Sequence, residues 1–173
     1  MFKKHSLVSS RNGFTLMELL IVVAIIGVLA AVIIFSLKDA KSKGLDARRL
    51  TDMRSLAEAV NLYQNNHNND FPPADPVDAT GWATSYGNAT TFMNNLVTDG
   101  DMPALIIDPI NSTQYQAYYY RPGADSACPT DTKAVLMFYM STVAQEPYVA
   151  CGPYPGPTTK SPDGTYSWCS CLR

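Results

Sequence analysis

The pattern of apolar residues divides the chain into two contrasting parts. Residues 19–37 carry no charge and consist mainly of aliphatic side chains. At about 1.5 Å of rise per residue, a helix of this length extends roughly 28 Å, which is close to the hydrocarbon thickness of a bilayer. The pattern therefore predicts an apolar helix that is long enough to cross a membrane.

A helical period continues beyond this run, but its apolar residues lie on one side only. The apolar stripe consists of Leu45, Leu50, Met53, Leu56, Ala57, Val60 and Tyr63, and the polar positions include Lys41, Asp46, Arg48, Asp52, Arg54, Glu58 and Asn61. A run of Asn and Asp residues followed by Pro72-Pro73 indicates that the helix ends near His67. We therefore predict one long helix with an apolar membrane segment at residues 14–37 and an amphipathic segment at residues 38–67.

The rest of the chain predicts a sheet that covers the apolar stripe. Residues 71–114 are rich in Pro, Gly, Asn, Asp and Thr, which indicates a long connection with a short helix at residues 90–97. Strands are expected at residues 115–120 and 134–140, with weaker candidates at residues 147–151 and 165–171. The predicted fold class is α+β: the long helix packs against an antiparallel sheet of three to four strands in a globular head, residues 68–173.

Glu18 is an ionisable residue at the N-terminal end of the apolar run. A carboxylate at membrane depth costs about 3 kcal/mol on insertion scales, so we treat it as a functional candidate that requires a partner. Phe14 lies four residues earlier and directly follows Gly13. A cut after Gly13 would create an α-amino group at Phe14, one turn from Glu18, which could neutralise the carboxylate within one molecule or between copies. The alternative is an ordinary signal anchor in which Glu18 lies near the interface.

The sequence Gly13-Phe14-Thr15-Leu16-Met17-Glu18 and the apolar run after it resemble the class III leader site of type IV pilins and of type II secretion pseudopilins. The resemblance implies that prepilin peptidase removes residues 1–13, that Phe14 becomes the N-methylated mature terminus, and that Glu18 pairs with a neighbour's terminus during assembly. It also implies a helical homo-oligomeric filament, an assembly ATPase and an inner-membrane platform protein.

One position departs from the family pattern. Many pilins carry a helix-kinking proline where this chain has Phe35. Any melted segment in a filament would therefore have to come from Gly27 or Gly44.

The resemblance predicts a structural subunit of a type IV pilus-like filament. It implies a single-pass protein of the inner or cell membrane before assembly and an extracellular or periplasmic filament afterwards. The stretch from Asp108-Pro109 to Tyr118 and Tyr120 is similar to one in the major pseudopilins, but this similarity does not separate a pilus from a secretion pseudopilus. A pseudopilin of a type II secretion or competence system is therefore an alternative. A membrane-anchored binding protein that never polymerises is another.

Composition argues against several other functional classes. The net charge of −2 indicates no strongly basic surface for nucleic acid. His5 lies in the predicted leader and His67 in a polar loop, so no catalytic set with Ser, Cys or Asp can be assembled, and we predict that the protein is not an enzyme. We expect no cofactor or metal. Residues 75–78 offer two carboxylates and residues 161–164 offer one, whereas calcium takes about six to eight oxygen ligands. These segments are better explained as surface turns, with calcium as the alternative.

All four cysteines, Cys128, Cys151, Cys169 and Cys171, lie in the C-terminal third, in the part predicted to be exported. An even number of cysteines in an exported part of the chain predicts disulfides. Cys169 and Cys171 would lie roughly 7 Å apart on one side of a strand, at or beyond the limit for an unstrained bridge. We therefore expect each to bond one of Cys128 and Cys151. A four-thiolate zinc site is the alternative, but two distant cysteines beside a C-x-C pair are poor zinc spacing.

Overall fold

The computed structural model describes residues 13–75, 77, 81–123, 126–141, 148–151 and 165–173. Within these residues lie helices α1 (Leu16–Asn66) and α2 (Asn94–Thr98) and strands β1 (Ala83–Thr84), β2 (Tyr119–Pro122), β3 (Ala134–Met140), β4 (Val149–Ala150) and β5 (Tyr166–Leu172). The chain forms two compact units, one ending at Ala40 and the other comprising Lys41–Arg173. The predicted leader up to Asn12, including His5, and the turns at Asp78 and residues 161–164 lie outside the described residues.

The predicted long helix is confirmed. It remains helical through Gly27 and Gly44. Its C-terminal end is closed by the backbone after Asn66: Asn68 and Asn69 have φ of 53° and 65°, and the Asn69 N–H donates to the Gln64 carbonyl at 2.9 Å. This left-handed turn is a common way to end a helix, and asparagine tolerates it better than most residues.

The sheet is antiparallel, in the order β1-β2-β3-β5-β4. Strand β2 pairs with β3, with Tyr120 opposite Leu136, and β5 pairs along all seven residues of β3. The two-residue strands β1 and β4 extend the edges. The α+β fold predicted from the sequence is therefore confirmed, with β1 as an element that the sequence did not indicate.

Strand β3 is buried at every position, because both faces of the sheet are covered. Leu136 and Phe138 point towards the apolar stripe of α1, where Met53, Leu56 and Val60 lie. The alternate residues of β3 pack on the other face in a second cluster with further buried side chains: Val135, Met137, Tyr139, Trp82, Cys151 and Cys169. An apolar run without alternation is typical of a strand buried on both sides.

The predicted strand at residues 115–120 was misplaced, because β2 begins only at Tyr119. The Gln116 N–H donates to the Thr113 carbonyl at 3.0 Å, which makes a turn, and the Tyr118 N–H donates to the Ser85 hydroxyl. The predicted helix at residues 90–97 is shortened to α2, since Met93 adopts a left-handed φ of 50° immediately before it. A local turn and a hydrogen bond from a distant side chain thus replace the start of the expected strand, and a left-handed residue delays the start of the helix.

Asp46 was assigned to the solvent side of α1, and this assignment was wrong. The residue is only 3% exposed. Its carboxylate lies beside the buried Arg49, and its Oδ1 accepts a hydrogen bond from the Ser141 N–H at 3.1 Å. Specific polar partners therefore allow Asp46 to occupy a buried position.

Candidate functional site

The junction between Gly13 and Phe14 lies before the first turn of α1 and is exposed. The Phe14 side chain is 92% exposed, and no described atom outside the local chain lies within 4 Å of the position of a Cβ added at Gly13. The peptide bond that the sequence predicts as the cleavage point is therefore accessible without unwinding the helix.

Thr15 and Glu18 form a reciprocal cap at the start of α1. The Thr15 N–H and hydroxyl both donate to Glu18 Oε2, at 2.8 and 2.9 Å, and the Glu18 N–H donates to the Thr15 hydroxyl oxygen at 3.2 Å. This is the capping-box arrangement, in which a threonine and a glutamate three residues later satisfy each other's backbone groups. Glu18 therefore supports the first turn in addition to any role in assembly, a local function that the sequence analysis did not recognise.

The segment that follows is a helix with exposed apolar side chains on all sides. It contains an 18-residue window with a mean hydropathy of 3.2, none of which is buried, and it is long and apolar enough to cross a membrane. Its large exposed side chains include Leu19, Ile25, Leu29, Ile33 and Leu37. A helix that is apolar all round requires an apolar environment on every side.

A buried charged cluster that the sequence pattern did not predict lies in the second unit. Arg49, only 2% exposed, donates through Nε and Nη2 to the two oxygens of Asp108, at 2.6 and 3.2 Å. Its Nη1 donates to Asp46 at 3.4 Å. Burial opposes the charge of the guanidinium, but the hydrogen bond and charge of Asp108, helped by Asp46, outweigh it and raise the pKa of Arg49. This bidentate ion pair between Arg49 and Asp108 joins α1 to the connection before β2.

Two buried tyrosines add further polar contacts beside this pair. The Tyr118 hydroxyl donates to Asp52 at 2.7 Å, and the Tyr120 hydroxyl donates to the Pro72 carbonyl at 2.8 Å. Burial raises the pKa of both tyrosines, and the hydrogen bond to Asp52 raises the pKa of Tyr118 further. Both rings therefore remain neutral donors that hold the sheet and its connection against α1.

Two disulfides fix the C-terminal strand. Cys128 is bonded to Cys171, and Cys151 to Cys169. Cys169 and Cys171 lie two residues apart on β5, and each is bonded to a cysteine outside that strand. Of the three connectivities that four cysteines allow, this is one of the two that leave Cys169 and Cys171 unbonded to each other.

Over part of its length the chain resembles known proteins. Residues 8–34 match the model of the prokaryotic N-terminal methylation motif. The chain is 34% identical over 65 residues to type II secretion system core protein G of Pectobacterium carotovorum subsp. carotovorum, covering 38% of this chain and 41% of that protein. The corresponding protein of Escherichia coli (strain K12) is 36% identical over 58 residues, covering 33% and 40%. These matches support the predicted resemblance to the type IV pilin and pseudopilin family.

The family motif covers Gly13, Phe14 and Glu18, the residues singled out from the sequence. Core protein G of Vibrio cholerae is also similar, at 34% identity over 65 residues, covering 38% of this chain and 44% of that protein. The match thus spans less than half the length of these curated relatives. No solved structure matches the chain significantly.

Proposed function

We propose that this chain is a structural subunit of a type IV pilus-like filament and that it polymerises through the apolar half of α1. The single observation that carries this proposal is the fully exposed apolar surface of that segment, directly after an accessible Gly13-Phe14 junction. Such a surface is stable in lipid, and it is equally stable against copies of the same helix. The subunit would therefore leave the membrane only as it enters a bundle of identical helices.

Processing at the junction would prepare the subunit for this step. In the proposed sequence, a prepilin peptidase removes residues 1–13 and methylates the new terminus at Phe14. An assembly ATPase and an inner-membrane platform protein then move the processed chain into the filament. The position of the bond outside α1 supports cleavage of the folded precursor.

Glu18 would select the correct position of each new subunit. A carboxylate among apolar helices requires a positive partner, and the amino group of a neighbouring Phe14 supplies one. Both hydrogen bonds from Thr15 go to Glu18 Oε2, so in this proposal the neighbour's amine would bind Oε1. The pairing thus does not require the capping box to break.

Two substitutions separate the charge of Glu18 from its capping role. Glu18→Gln keeps the capping-box pattern, which accepts glutamine, but removes the charge. Thr15→Val removes the hydroxyl cap, at a cost of about 1 kcal/mol, but keeps the charge. We expect both proteins to be processed to a chain that begins at Phe14, as measured by mass spectrometry. Electron microscopy of sheared surface fractions should detect filaments with Thr15→Val and none with Glu18→Gln.

Normal filaments from Glu18→Gln would refute the charge pairing. If the unmodified chain is processed but never appears in surface filaments, it would instead be a secretion pseudopilin or a membrane-anchored binding protein that does not polymerise.

Gly13 provides an independent test of processing. A Cβ added there would meet no described atom within 4 Å, so Gly13→Leu should leave the fold unchanged. If the peptidase requires glycine at this position, the variant should accumulate as a precursor that retains residues 1–13. A mature chain beginning at Phe14 would contradict this expectation.

A pseudopilin of type II secretion is the second candidate, and the relatives favour it, since those found are core protein G of such systems. Expression in a strain that lacks its own core protein G would separate the two functions. Restored export of a secreted enzyme would support the pseudopilin, whereas surface filaments without restored export would support the pilus subunit. A neighbouring gene for a secretin or for a retraction ATPase would give the same distinction.

A further inference from the structure

We propose that three lysines directly after the apolar segment bind the phosphate groups of anionic phospholipids while the subunit is in the membrane. Lys38, Lys41 and Lys43 follow Leu37, the last residue of the apolar run, by one, four and six positions. All three side chains are exposed and lie on α1. The proposal rests on the membrane stage of the proposed function, but it does not require polymerisation.

The distance from the apolar run places these lysines at the depth of the lipid headgroups. At about 1.5 Å of rise per residue, they lie roughly 2 to 9 Å beyond Leu37 along the helix. Each headgroup layer of a bilayer is about 5 to 8 Å thick. A lysine stem can also bend along apolar surface while its ammonium group stays in the polar layer. All three ammonium groups can therefore reach headgroup phosphates.

Membrane orientation alone does not account for these lysines. Basic residues at one end of a membrane helix favour the cytoplasmic side for that end. This chain carries basic residues at both ends of the apolar run, since the three lysines follow it and a second set precedes it: Lys3, Lys4 and Arg11. One of the two sets therefore requires an explanation other than orientation.

The three lysines have no acidic partner within the part of the chain that the structure describes. Asp39 lies four residues before Lys43, a spacing at which helical ion pairs form, but the two do not pair. Farther along α1, by contrast, Arg48 pairs with Asp52 at 3.8 Å. The ammonium groups of the three lysines are therefore available to an external anion.

The directions of the side chains favour a layer of lipid over a partner on one side of the helix. With 3.6 residues per turn, Lys43 lies about 140° from Lys38 and about 160° from Lys41 around the helix axis. A DNA duplex or a protein surface on one side could contact either Lys43 or the other two. Headgroups surround a single helix on every side, so they can contact all three lysines at once.

The test uses the full-length chain in a neutral detergent, labelled with ¹³C at the lysine Cε atoms. The Cε resonances of Lys38, Lys41 and Lys43 report on binding, and the exposed Lys133 is the reference. The probe is dihexanoyl phosphatidylglycerol, which is anionic, and its control is dihexanoyl phosphatidylcholine, which has no net charge. A basic residue near an anionic membrane surface strengthens binding roughly fivefold. We therefore expect all three resonances to shift at a phosphatidylglycerol concentration about fivefold or more below that required for phosphatidylcholine, without a shift of Lys133.

Variants connect the shifts to the proposed contacts. Lys43→Gln removes one cation and keeps a residue of similar helix propensity. The Lys38 and Lys41 resonances should then require about fivefold more phosphatidylglycerol. Lys41→Gln should have the same effect on Lys38 and Lys43. Arg54→Gln is the matched control and should leave the titration unchanged, because Arg54 is an exposed cation on the same helix, roughly 16 Å beyond Lys43.

Two further additions identify the source of the phosphate. Glycerol 1-phosphate carries the phosphate without acyl chains, and a short DNA duplex carries many phosphates on one rod. We expect neither to shift the lysines at the concentrations at which the lipid acts. An equal response to glycerol 1-phosphate, or displacement of the lipid by the duplex, would overturn the proposal. Equal titration by the two lipids, or an unchanged titration in both lysine variants, would also overturn it.

Failure of this proposal and failure of the filament proposal are distinguishable. The lysine resonances are measured on dispersed subunits, whereas polymerisation is measured by electron microscopy of surface fractions. A chain that forms filaments but shows no lipid preference would contradict the lysine contacts alone. A chain with the lipid preference that never forms filaments would contradict polymerisation alone.

Discussion

Replacement of Arg49 by methionine would remove the charge from the buried cluster while preserving most of the side-chain volume. In the native protein this single cation faces two carboxylates, Asp46 and Asp108, and all three residues are at most 3% exposed. The substitution therefore leaves two buried carboxylates near each other without their cation. We expect it to be among the most destabilising single changes in the head.

Loss of one partner from a buried ion pair typically costs about 3 to 5 kcal/mol, because the remaining charge stays buried without compensation. For a domain of this size, that corresponds to a decrease in Tm on the order of 10 to 20 °C.

Thermal unfolding of the full-length chain in detergent, followed by circular dichroism at neutral pH, measures this effect. Arg48→Met is the matched control, because the neighbouring Arg48 side chain is 62% exposed and lies 3.8 Å from Asp52. An exposed pair of this kind contributes at most about 1 kcal/mol. If Arg49→Met and Arg48→Met unfold at the same temperature, the buried cluster does not stabilise the head as described.

Two further substitutions test other contacts of the head, with chemical unfolding as the measurement. Tyr118→Phe removes the hydrogen bond to Asp52 and should cost about 1 kcal/mol, since the half-buried carboxylate can be hydrated instead; no change would mean that the hydroxyl contributes nothing. The double change Cys128→Ser with Cys171→Ser should cost about 2 to 4 kcal/mol and leave the other disulfide intact in a thiol titration. Wild-type stability would contradict the second expectation.

The sequence predicted the elements whose apolar residues follow a simple local pattern. In α1 these residues recur every three to four positions, and in β3 they form an uninterrupted run. Both sets of side chains are buried in the core of the head. Strand β2 was placed too early because its aromatic residues suggested a strand from Tyr115 onward, whereas the Ser85 side chain binds the Tyr118 N–H. That contact joins residues far apart in the chain, so no local pattern could indicate it.

Arg49 shows that hydrophobic periodicity can miss a buried charge even within a correctly predicted helix. Periodicity treats every charged residue as a solvent position, and Asp46 was assigned in that way. However, Arg49 lies four residues from both Leu45 and Met53, which places it within the apolar stripe. A charge on that side of a helix requires a buried partner. The spacing could therefore have identified Arg49 as a paired residue, but not its partner, Asp108, 59 positions away.

The two roles of Asp108 explain why an aspartate in a tight turn is the partner of Arg49. Asp108 Oδ1 accepts hydrogen bonds from the backbone N–H groups of Ile110 and Asn111, at 2.9 and 3.3 Å, in addition to the contact with Arg49. A short carboxylate can close its own turn and still reach a cation, whereas a neutral or longer side chain would lose one of the two functions. Asp108→Asn should therefore retain much of the turn but lose the charge pairing. Asp108→Glu should retain the charge but lose the turn, so both variants should be less stable than the native chain, for different reasons.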